Sequence, residues 1–569
     1  MPSIVEYPHV MNRTAAVLAI TACVIAALSA QDKPDPLQTR PERTNFEETS
    51  RYDDVAAFLT AIAGKSPLVR TMSFGTTEQG RAMPLVTLSN PAVARPADVP
   101  AGRPVVFLLA NIHGGEVEGK EAVQVLMRRF IAGDLRSLLD RMVIIIAPNY
   151  NADGNEAVDV MNRTQQFGPI AGVGRRENAK GLDLNRDYMK LESAEARALA
   201  AAFTTWDPHL MVDLHTTNGS YHGYHLTHSI PLNLSLSQTT LDYHREKMMP
   251  AIMQSLESAH KVRSYYYGNF GRGNAAPGDS SRRSPETGST AKAELRRWNA
   301  FDHRPRAGQN YVGFRNRLTI LSEAYSYLSF KRRIEVTEQF VEQILKYVDA
   351  HRAEIVALTK TLDAEWLKRT QGNADLPLGV EYEMTPLPKP VPILVGEVKQ
   401  EVNPRNQRPM TVAIEDSFKP EMMHDYAYFK PTRSVPMARI YVLPTGSDFQ
   451  PIVDKIRQHG IVVEELTAPV TTEISSFVVD AIDKSPKLFQ GHNEVKLKGQ
   501  YSVEKATIPA GTRIVRLGQP LGLLAAYLLE PESDDGLTNW NFLDAWLAVG
   551  KPAPIRKIMT NVKVAAKRL

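Results

Sequence analysis

Four short apolar runs do the most to limit how this chain of 569 residues can fold. They are almost unbroken and lie at 105–110, 143–147, 210–214 and 318–321. Such runs are typical of central strands that have both faces covered, as in a largely parallel sheet. Helical periodicity separates them, at 117–131 and 194–203. The sequence therefore predicts an α/β fold with a mixed central sheet flanked by helices.

The composition changes along the chain and predicts four segments. Residues 1–30 are interpreted as a signal peptide and 31–50 as a polar lead-in that contains prolines. The α/β domain is predicted over 51–371, closing with an amphipathic stretch at 334–367. Prolines cluster between 377 and 392, which favours an interdomain connection, so 372–569 is predicted to be an accessory α/β or β-rich region.

The N-terminal segment indicates where the protein acts. An uncharged, mostly apolar stretch follows Arg13, and cleavage near Ala30 predicts a secreted or periplasmic protein that is not inserted in a membrane afterwards. The alternative is an uncleaved anchor, because about 17 such residues fall just short of a comfortable span. Ile20-Thr-Ala-Cys23 is similar to a lipoprotein cleavage box, but the apolar run continues past Cys23, which favours the signal peptide. Cys23 is the only cysteine, so a cleaved chain has no thiol.

The overall charge argues against one class of partner. Lys plus Arg number 67 and Asp plus Glu number 63, which gives a formal net charge of +4. A nucleic-acid-binding protein needs a concentrated basic face, so no nucleic-acid partner is expected. The composition does not indicate an oligomeric state.

A histidine and a glutamate stand where the first apolar run ends, in His113-Gly-Gly-Glu116. Imidazole and carboxylate groups suit zinc, and catalytic zinc takes three protein ligands and leaves one position for water. Two residues at this spacing are weak evidence alone, and the alternative is a capping carboxylate beside a turn histidine. His215, at the end of the run 210–214, supplies a third ligand at the same predicted sheet edge.

Other polar residues compete with His215 or support it. His222, His225 and His228 lie in a predicted loop and lack the support of a strand, so His215 is preferred. Asp213 is two residues before His215, and the strand is expected to end between them. Asp213 is therefore interpreted as a group that orients a ligand rather than as a ligand.

Glu323 is the candidate base for the water that attacks the substrate. It stands just past the apolar run 318–321, where a lone carboxylate is costly unless it is used or paired. The alternative is an ion pair with Arg315 or Arg317.

Asn185 and Arg186 form a candidate clamp for a free carboxylate. An adjacent amide and guanidinium can hold such a group by charge-assisted hydrogen bonds. A site of this kind selects a chain terminus over an internal peptide bond. The alternative is a turn in which Arg186 pairs with Asp183 or Asp187.

The order of these motifs resembles the zinc carboxypeptidases of the carboxypeptidase A type, in a bacterial secreted member. The matching motifs are Gly75-x-Thr-x-x-Gly-Arg81, His113-x-x-Glu116, Asn151-Ala-Asp-Gly154, Asp183-Leu-Asn-Arg186, Asp213-x-His215 and Glu323. The resemblance covers roughly residues 50–345. It implies that His113, Glu116 and His215 bind one zinc ion. It also implies that Asn185 and Arg186 bind the substrate's terminal carboxylate and that Glu323 activates water.

Two further roles follow from the resemblance. The family stabilises the oxyanion with an arginine, for which Arg163, Arg175 and Arg176 compete, with Arg163 preferred. The family's mobile tyrosine is assigned to Tyr311. The interval between His215 and Glu323 contains an insertion around 277–283, so the preferred terminal residue is not readable.

The resemblance implies a zinc-dependent metallocarboxypeptidase that hydrolyses the C-terminal bond of peptides carrying a free carboxylate. One alternative keeps the fold and changes the substrate, to a zinc amidohydrolase or deacylase or to a hydrolase of peptidoglycan stem peptides. Another is a non-catalytic peptide-binding protein with a degenerate site. The presence of every candidate ligand and of the base argues against that last reading.

Overall fold

The computed structural model describes residues 35–217, 219–271, 295–372 and 374–569. The predicted signal peptide, its cleavage near Ala30 and Cys23 all lie outside these residues. Over the described ranges, no helix combines the length and the apolar character that crossing a membrane requires.

The strands and helices have the following bounds. In chain order the strands are β1 (Val69–Thr76), β2 (Ala82–Leu88), β3 (Val105–Ala110), β4 (Val143–Ala147), β5 (Leu210–Thr217), β6 (Leu226–Ser229), β7 (Ser264–Tyr266), β8 (Asn269–Gly271), β9 (Arg297–Asn299), β10 (Leu318–Tyr325), β11 (Pro377–Thr385), β12 (Val391–Val402), β13 (Pro409–Tyr426), β14 (Tyr428–Pro436), β15 (Ile440–Val442), β16 (Glu464–Leu466), β17 (Val470–Lys484), β18 (Val495–Ile508), β19 (Arg513–Arg516), β20 (Arg556–Ile558) and β21 (Ala566–Arg568). The α-helices are Arg40–Arg43, Tyr52–Lys65, Glu118–Ala132, Ala152–Glu156, Ala194–Trp206, Gln238–Asp242, Met249–His260, Gly308–Phe314, Phe330–Ala350, Arg352–Gln371, Gln450–Gln458 and Gly522–Leu529.

The central sheet mixes parallel and antiparallel strands, which confirms the predicted fold class. Its strand order is β1-β2-β4-β3-β5-β10-β6-β7. The four apolar runs of the sequence form β3, β4, β5 and β10, which run parallel to one another at its centre. β2 and β6 pair with this parallel group in the antiparallel sense, on opposite sides of it.

Both faces of the central sheet are covered, as the unbroken apolar runs predict. One face packs against the helices Tyr52–Lys65, Glu118–Ala132 and Phe330–Ala350. The other face belongs to an apolar core that includes Phe203 and Phe314 and continues into the C-terminal region, with Tyr441, Leu524 and Trp540 among its buried members. Residues beyond 371 therefore help to cover one face of the sheet that carries the site.

The amphipathic stretch predicted over 334–367 is divided between two helices. The first begins at Phe330, because the Ser329 side chain accepts a hydrogen bond from the backbone N–H of Arg332 and caps the helix. The chain leaves helical geometry at His351, and the second helix runs from Arg352 to Gln371.

The proline-rich segment after residue 376 is not a simple connection, because much of it is in strands. Pro377 is the first residue of β11, where no ladder N–H is needed, and Pro392 lies in β12. β12 and β13 form a long hairpin whose backbone also bonds to the N-terminal part of the chain, through Thr411 to Gln165 and Ala413 to Tyr327. The domain boundary at 371 stays a prediction.

The rest of the C-terminal region is rich in strands. β11 pairs with β14, β13 joins β9 and β8, and the last sheet has the order β18-β17-β20-β15-β19-β16-β21. Between residues 438 and 466, a strand, a helix and a second strand follow one another as β15, the helix Gln450–Gln458 and β16.

Candidate metal centre

Four of the candidate site residues meet at the carboxyl ends of the central strands. His113 and Glu116 lie in the loop that follows β3, and His215 lies in the neighbouring strand β5. Glu323 lies in β10, where it is the register partner of His215. Parallel strands present their carboxyl ends at one edge of a sheet, so side chains from distant parts of the sequence share one cleft.

Two glycines allow the His113–Glu116 loop to turn tightly. The backbone N–H of Glu116 donates to the carbonyl of His113 at 2.9 Å. A Cβ on Gly114 would stand 2.3 Å from the backbone of Gly154, and one on Gly115 would stand 2.8 Å from the Gly174 carbonyl. Side chains larger than hydrogen do not fit here. The glycines therefore bring His113 and Glu116 to the same point.

Three ligand atoms converge at this point. Nδ1 of His113 and Nδ1 of His215 each lie 3.0 Å from Oε2 of Glu116, and the two nitrogens are 3.3 Å apart. All three residues are buried, and within the described ranges they are the group of ligand atoms close enough to hold a metal ion. Two imidazoles and one carboxylate form a donor set of catalytic zinc sites, so the residues fit zinc.

A carboxylate stands behind each histidine. Nε2 of His113 is 3.0 Å from Oδ1 of Asp183, and Nε2 of His215 is 3.0 Å from Oδ2 of Asp213. A carboxylate in this place favours the tautomer with its proton on Nε2, which leaves Nδ1 free to bind a metal. The expected strand end between Asp213 and His215 is wrong, since β5 continues to Thr217. The two side chains therefore lie on one face of the strand.

The charges at the centre are strongly coupled. Burial opposes ionisation of Glu116, but His113, His215 and Arg163 hold the pKa of its carboxyl well below the usual range. Burial also opposes protonation of His215, but Asp213 and Glu116 hold the pKa of its imidazole well above the usual range. This concentration of negative charge around two imidazoles favours a cation.

Glu323 is half-buried beside these residues. Burial raises the pKa of its carboxyl to about 8, although the charges of His215, Arg163 and Arg176 act in the opposite direction. A nearby metal cation would lower this raised pKa. The alternative ion pairs are not formed, because Arg317 pairs with Asp207 and Asp363 and Arg315 donates to the His459 carbonyl.

The three competing arginines occupy different positions. Arg163 donates to Glu116 Oε1 at 3.0 Å, to the Thr216 carbonyl and to Gln166, so its guanidinium is bound on all sides. Arg175 donates to the carbonyl of Asn178 in its own loop.

Arg176 is held by Asp183 at 2.9 Å and extends towards the centre, where Nη1 is 3.3 Å from Nδ1 of His113. Its side chain keeps 40% exposure, against 18% for Arg163. Arg176 therefore faces the cleft, whereas Arg163 supports Glu116 from within the protein.

Asn185 and Arg186 lie in the short helical turn Leu184–Arg186, next to the centre. The Asn185 side-chain oxygen accepts from the backbone N–H of Gly308 at 2.9 Å. The Arg186 guanidinium lies 4.9 Å from the centre of the Phe301 ring and donates to the Asn185 carbonyl. Burial lowers the pKa of Arg186.

The predicted alternative, an ion pair between Arg186 and a neighbouring aspartate, is not formed. Asp183 is bound by His113 and Arg176, and Asp187 by Lys190. In the part of the chain that the structure describes, no carboxylate lies within ion-pair distance of Arg186.

Tyr311 does not lie in the cleft. It is fully buried in the core, and its hydroxyl is 2.9 Å from Nδ1 of His459. The assignment of the mobile tyrosine to this residue is therefore corrected. Tyr267 lies nearer to the metal centre than Tyr311 does, half-buried beside Thr217. Burial together with the charge of Glu323 raises the pKa of its hydroxyl. It follows a strand of three residues, which left no pattern in the sequence that could single it out.

The histidines that compete with His215 lie elsewhere. His222 is stacked on Tyr325, with ring centres 4.0 Å apart. His225 is 3.3 Å from a carboxylate oxygen of Glu415. His228 is fully buried beside Tyr266 and Phe340. Burial lowers the pKa of His222 and His228 to about 3, so both are neutral packing residues.

Part of this chain is similar in sequence to carboxypeptidases of other organisms. Carboxypeptidase 2 of Trichophyton rubrum is 26% identical over 207 residues, which is 35% of this chain and 35% of the relative. Human carboxypeptidase Z is 30% identical over 168 residues, 28% of this chain and 24% of the relative. The chain thus matches about a third or less of the length of these relatives.

Among solved structures, a metallo-carboxypeptidase from Burkholderia cenocepacia is similar with a TM-score of 0.38 and 20% identity, covering 53% of this chain and 70% of that one. The family model described as zinc carboxypeptidase matches residues 55–344. That range is just over half of the chain and includes every candidate site residue. The protein belongs to the zinc carboxypeptidase family.

Proposed function

We propose that the protein is a zinc-dependent metallocarboxypeptidase that removes the C-terminal residue of peptides with a free carboxylate. The observation that carries the proposal is the state of Arg186. Its guanidinium is half-buried next to the metal centre, and no carboxylate of the described residues lies within ion-pair distance of it. A buried cation without an anionic partner is costly, so a carboxylate from the substrate suits this position.

The residues at the centre have distinct roles in this proposal. His113 and His215, through Nδ1, and Glu116 hold one zinc ion. When bound, zinc polarises the scissile carbonyl and lowers the pKa of water. Asp183 and Asp213 keep the two imidazoles in the tautomer that leaves Nδ1 free.

Glu323 and Arg176 act on the reacting atoms. Glu323 accepts a proton from the attacking water and delivers it to the leaving amine, for which its half-buried position in the cleft is suited. Arg176 donates to the carbonyl oxygen as it gains negative charge. Arg176 is preferred over Arg163 because its side chain is the more exposed of the two at the cleft.

Asn185 and Arg186 bind the terminal carboxylate and so fix which bond is cut. Tyr311 has no part in binding, since it lies in the core. We further propose that residues 1–30 direct export to the periplasm or the medium, that 51–371 form the catalytic domain, and that 372–569 form an accessory region.

The test compares matched peptides with free and amidated C-termini. Purified protein is loaded with zinc, incubated with each peptide, and the products are identified by mass spectrometry. The proposal expects products shorter by one residue from the free acid and almost no product from the amide.

Two further substrate groups extend the same assay to the alternatives. Hydrolysis of acyl-amino acids or of muropeptides, with no action on simple peptides, would replace the proposal by one of the related hydrolase activities. Zinc binding without hydrolysis of any of them would indicate a binding protein.

A further inference from the structure

Asp183 connects most of the site. Its Oδ1 contacts Nε2 of His113 and also accepts from the backbone N–H of Asn185 at 2.9 Å. Its Oδ2 accepts from Arg176 at 2.9 Å. The position of this one carboxylate therefore affects a zinc ligand, the arginine that faces the cleft and the carboxylate clamp.

The main chain of Asp183 is held by a side chain from the C-terminal region. Its backbone N–H donates to Oε1 of Gln490 at 2.8 Å, across 307 positions of sequence. Gln490 is at the tip of a tight turn in which Phe489 and His492 exchange two backbone hydrogen bonds. Gln490 and Gly491 have φ values of 50° and 82°, so the turn holds a non-glycine residue in the left-handed region.

The same turn contacts the far end of the clamp segment. Nε2 of His492 lies 3.0 Å from both carboxylate oxygens of Glu192. Between these contacts, the buried Lys190 lies 5.2 Å from the Trp540 ring centre. The C-terminal region therefore contacts residues 183–192 at both ends and at Lys190.

The segment 306–308, which contacts the Asn185 side chain, is also held by the C-terminal region. Arg306 forms ion pairs at 2.7 Å with the buried Asp535 and the partly exposed Glu494, both from the C-terminal region. Two residues later, Gly308 donates its N–H to the side chain of Asn185. The clamp segment and the segment that holds the Asn185 side chain are thus each anchored to residues beyond 371.

We propose that the C-terminal region is a working part of the site and that Gln490 is a positioning residue for it. Acting through the main chain of Asp183, Gln490 keeps His113 aligned for zinc and keeps Asn185 and Arg186 aligned for the substrate carboxylate. This inference rests on the proposed function, but its metal-binding part does not require turnover.

The main variant is Gln490→Met. It keeps the size of the side chain and leaves a non-glycine residue in the left-handed region, but it removes the acceptor oxygen. Gln490→Asn is the second variant, because asparagine tolerates the left-handed region and its side chain is too short to reach Asp183. Leu488→Ser is the control, since Leu488 lies two residues away and is 64% exposed. The zinc dissociation constant is measured by competition with a chelator, and KM and kcat are measured with a free-acid peptide.

The expected result for both Gln490 variants is a three- to tenfold rise, roughly, in the zinc dissociation constant, the effect of one net hydrogen bond. KM rises more than kcat falls, and Leu488→Ser matches the wild type. Wild-type zinc affinity and KM in both Gln490 variants would overturn the inference. If the wild-type protein binds zinc but hydrolyses no peptide, the proposed function fails, and the zinc measurement still tests Gln490.

Discussion

Replacing Arg186 by methionine tests the terminal-carboxylate clamp most directly. Methionine keeps an unbranched side chain that can still pack on the Phe301 ring, and it removes the charge. Arg186 has no ion pair among the described residues, so the change breaks no salt bridge within the fold. The expected loss therefore concerns the substrate rather than stability.

The size of the loss follows from the burial of the guanidinium. Exposed ion pairs contribute about 0–1 kcal/mol, whereas hydrogen bonds to charged groups in protected sites contribute about 1.5–3 kcal/mol. Arg186 is half-buried and can form two parallel bonds to a carboxylate, so the higher range applies. At about 1.4 kcal/mol per factor of ten, kcat/KM for a free-acid peptide should fall roughly 10- to 150-fold.

The assay is a double-mutant cycle between protein and substrate. kcat/KM is measured for wild type and Arg186→Met with one peptide as the free acid and as the C-terminal amide. The free acid should lose its advantage in the variant, while the slow cleavage of the amide stays nearly the same. Arg95→Ala, at an exposed surface pair with Asp98, is the control and should change neither rate. Equal losses for acid and amide in Arg186→Met would refute the clamp.

Three other changes address the base, the ligands and the turn. Glu323→Gln should lower kcat by about 10²- to 10⁴-fold with an unchanged zinc content by metal analysis, and full activity would exclude Glu323 as the base. Asp213→Asn should weaken zinc binding by about 10- to 100-fold in a chelator titration, and unchanged affinity would mean that Asp213 does not orient His215. Gly114→Ala places a Cβ 2.3 Å from backbone and should lower the free energy of unfolding in urea by about 3 kcal/mol or more, whereas Gly64→Ala, in a helix with nothing within 4 Å, should not destabilise.

The parts of the fold that could be predicted are those with a strong local pattern. The apolar runs at 105–110 and 143–147 coincide with β3 and β4 at both ends. The next two runs are too short, because β5 and β10 continue to Thr217 and Tyr325 through polar residues. Those polar residues include His215 and Glu323. The apolar pattern therefore fails to mark the ends of the strands where the strands carry site residues.

The same contrast applies to the site residues. His113, Glu116 and His215 could be found because an ionisable side chain at the end of a buried strand is costly unless it is paired or binds a metal. The arginines could not be separated, since all three lie in loops and their roles depend on which N–H groups find partners. Tyr311 illustrates the opposite error, because a tyrosine at a plausible position in sequence proves to be a core residue bonded to His459.

The C-terminal region shows why local patterns cannot reveal how a site is held. The contact from Asp183 to Gln490 joins residues 307 positions apart, and neither residue has a pattern that indicates the other. A turn that keeps glutamine in the left-handed region is strained, and such strain persists only where surrounding contacts fix it. Here those contacts are the ones to Asp183 and Glu192. The core that covers one face of the central sheet also continues into this region, so the geometry of the metal centre depends on residues outside the matched family range.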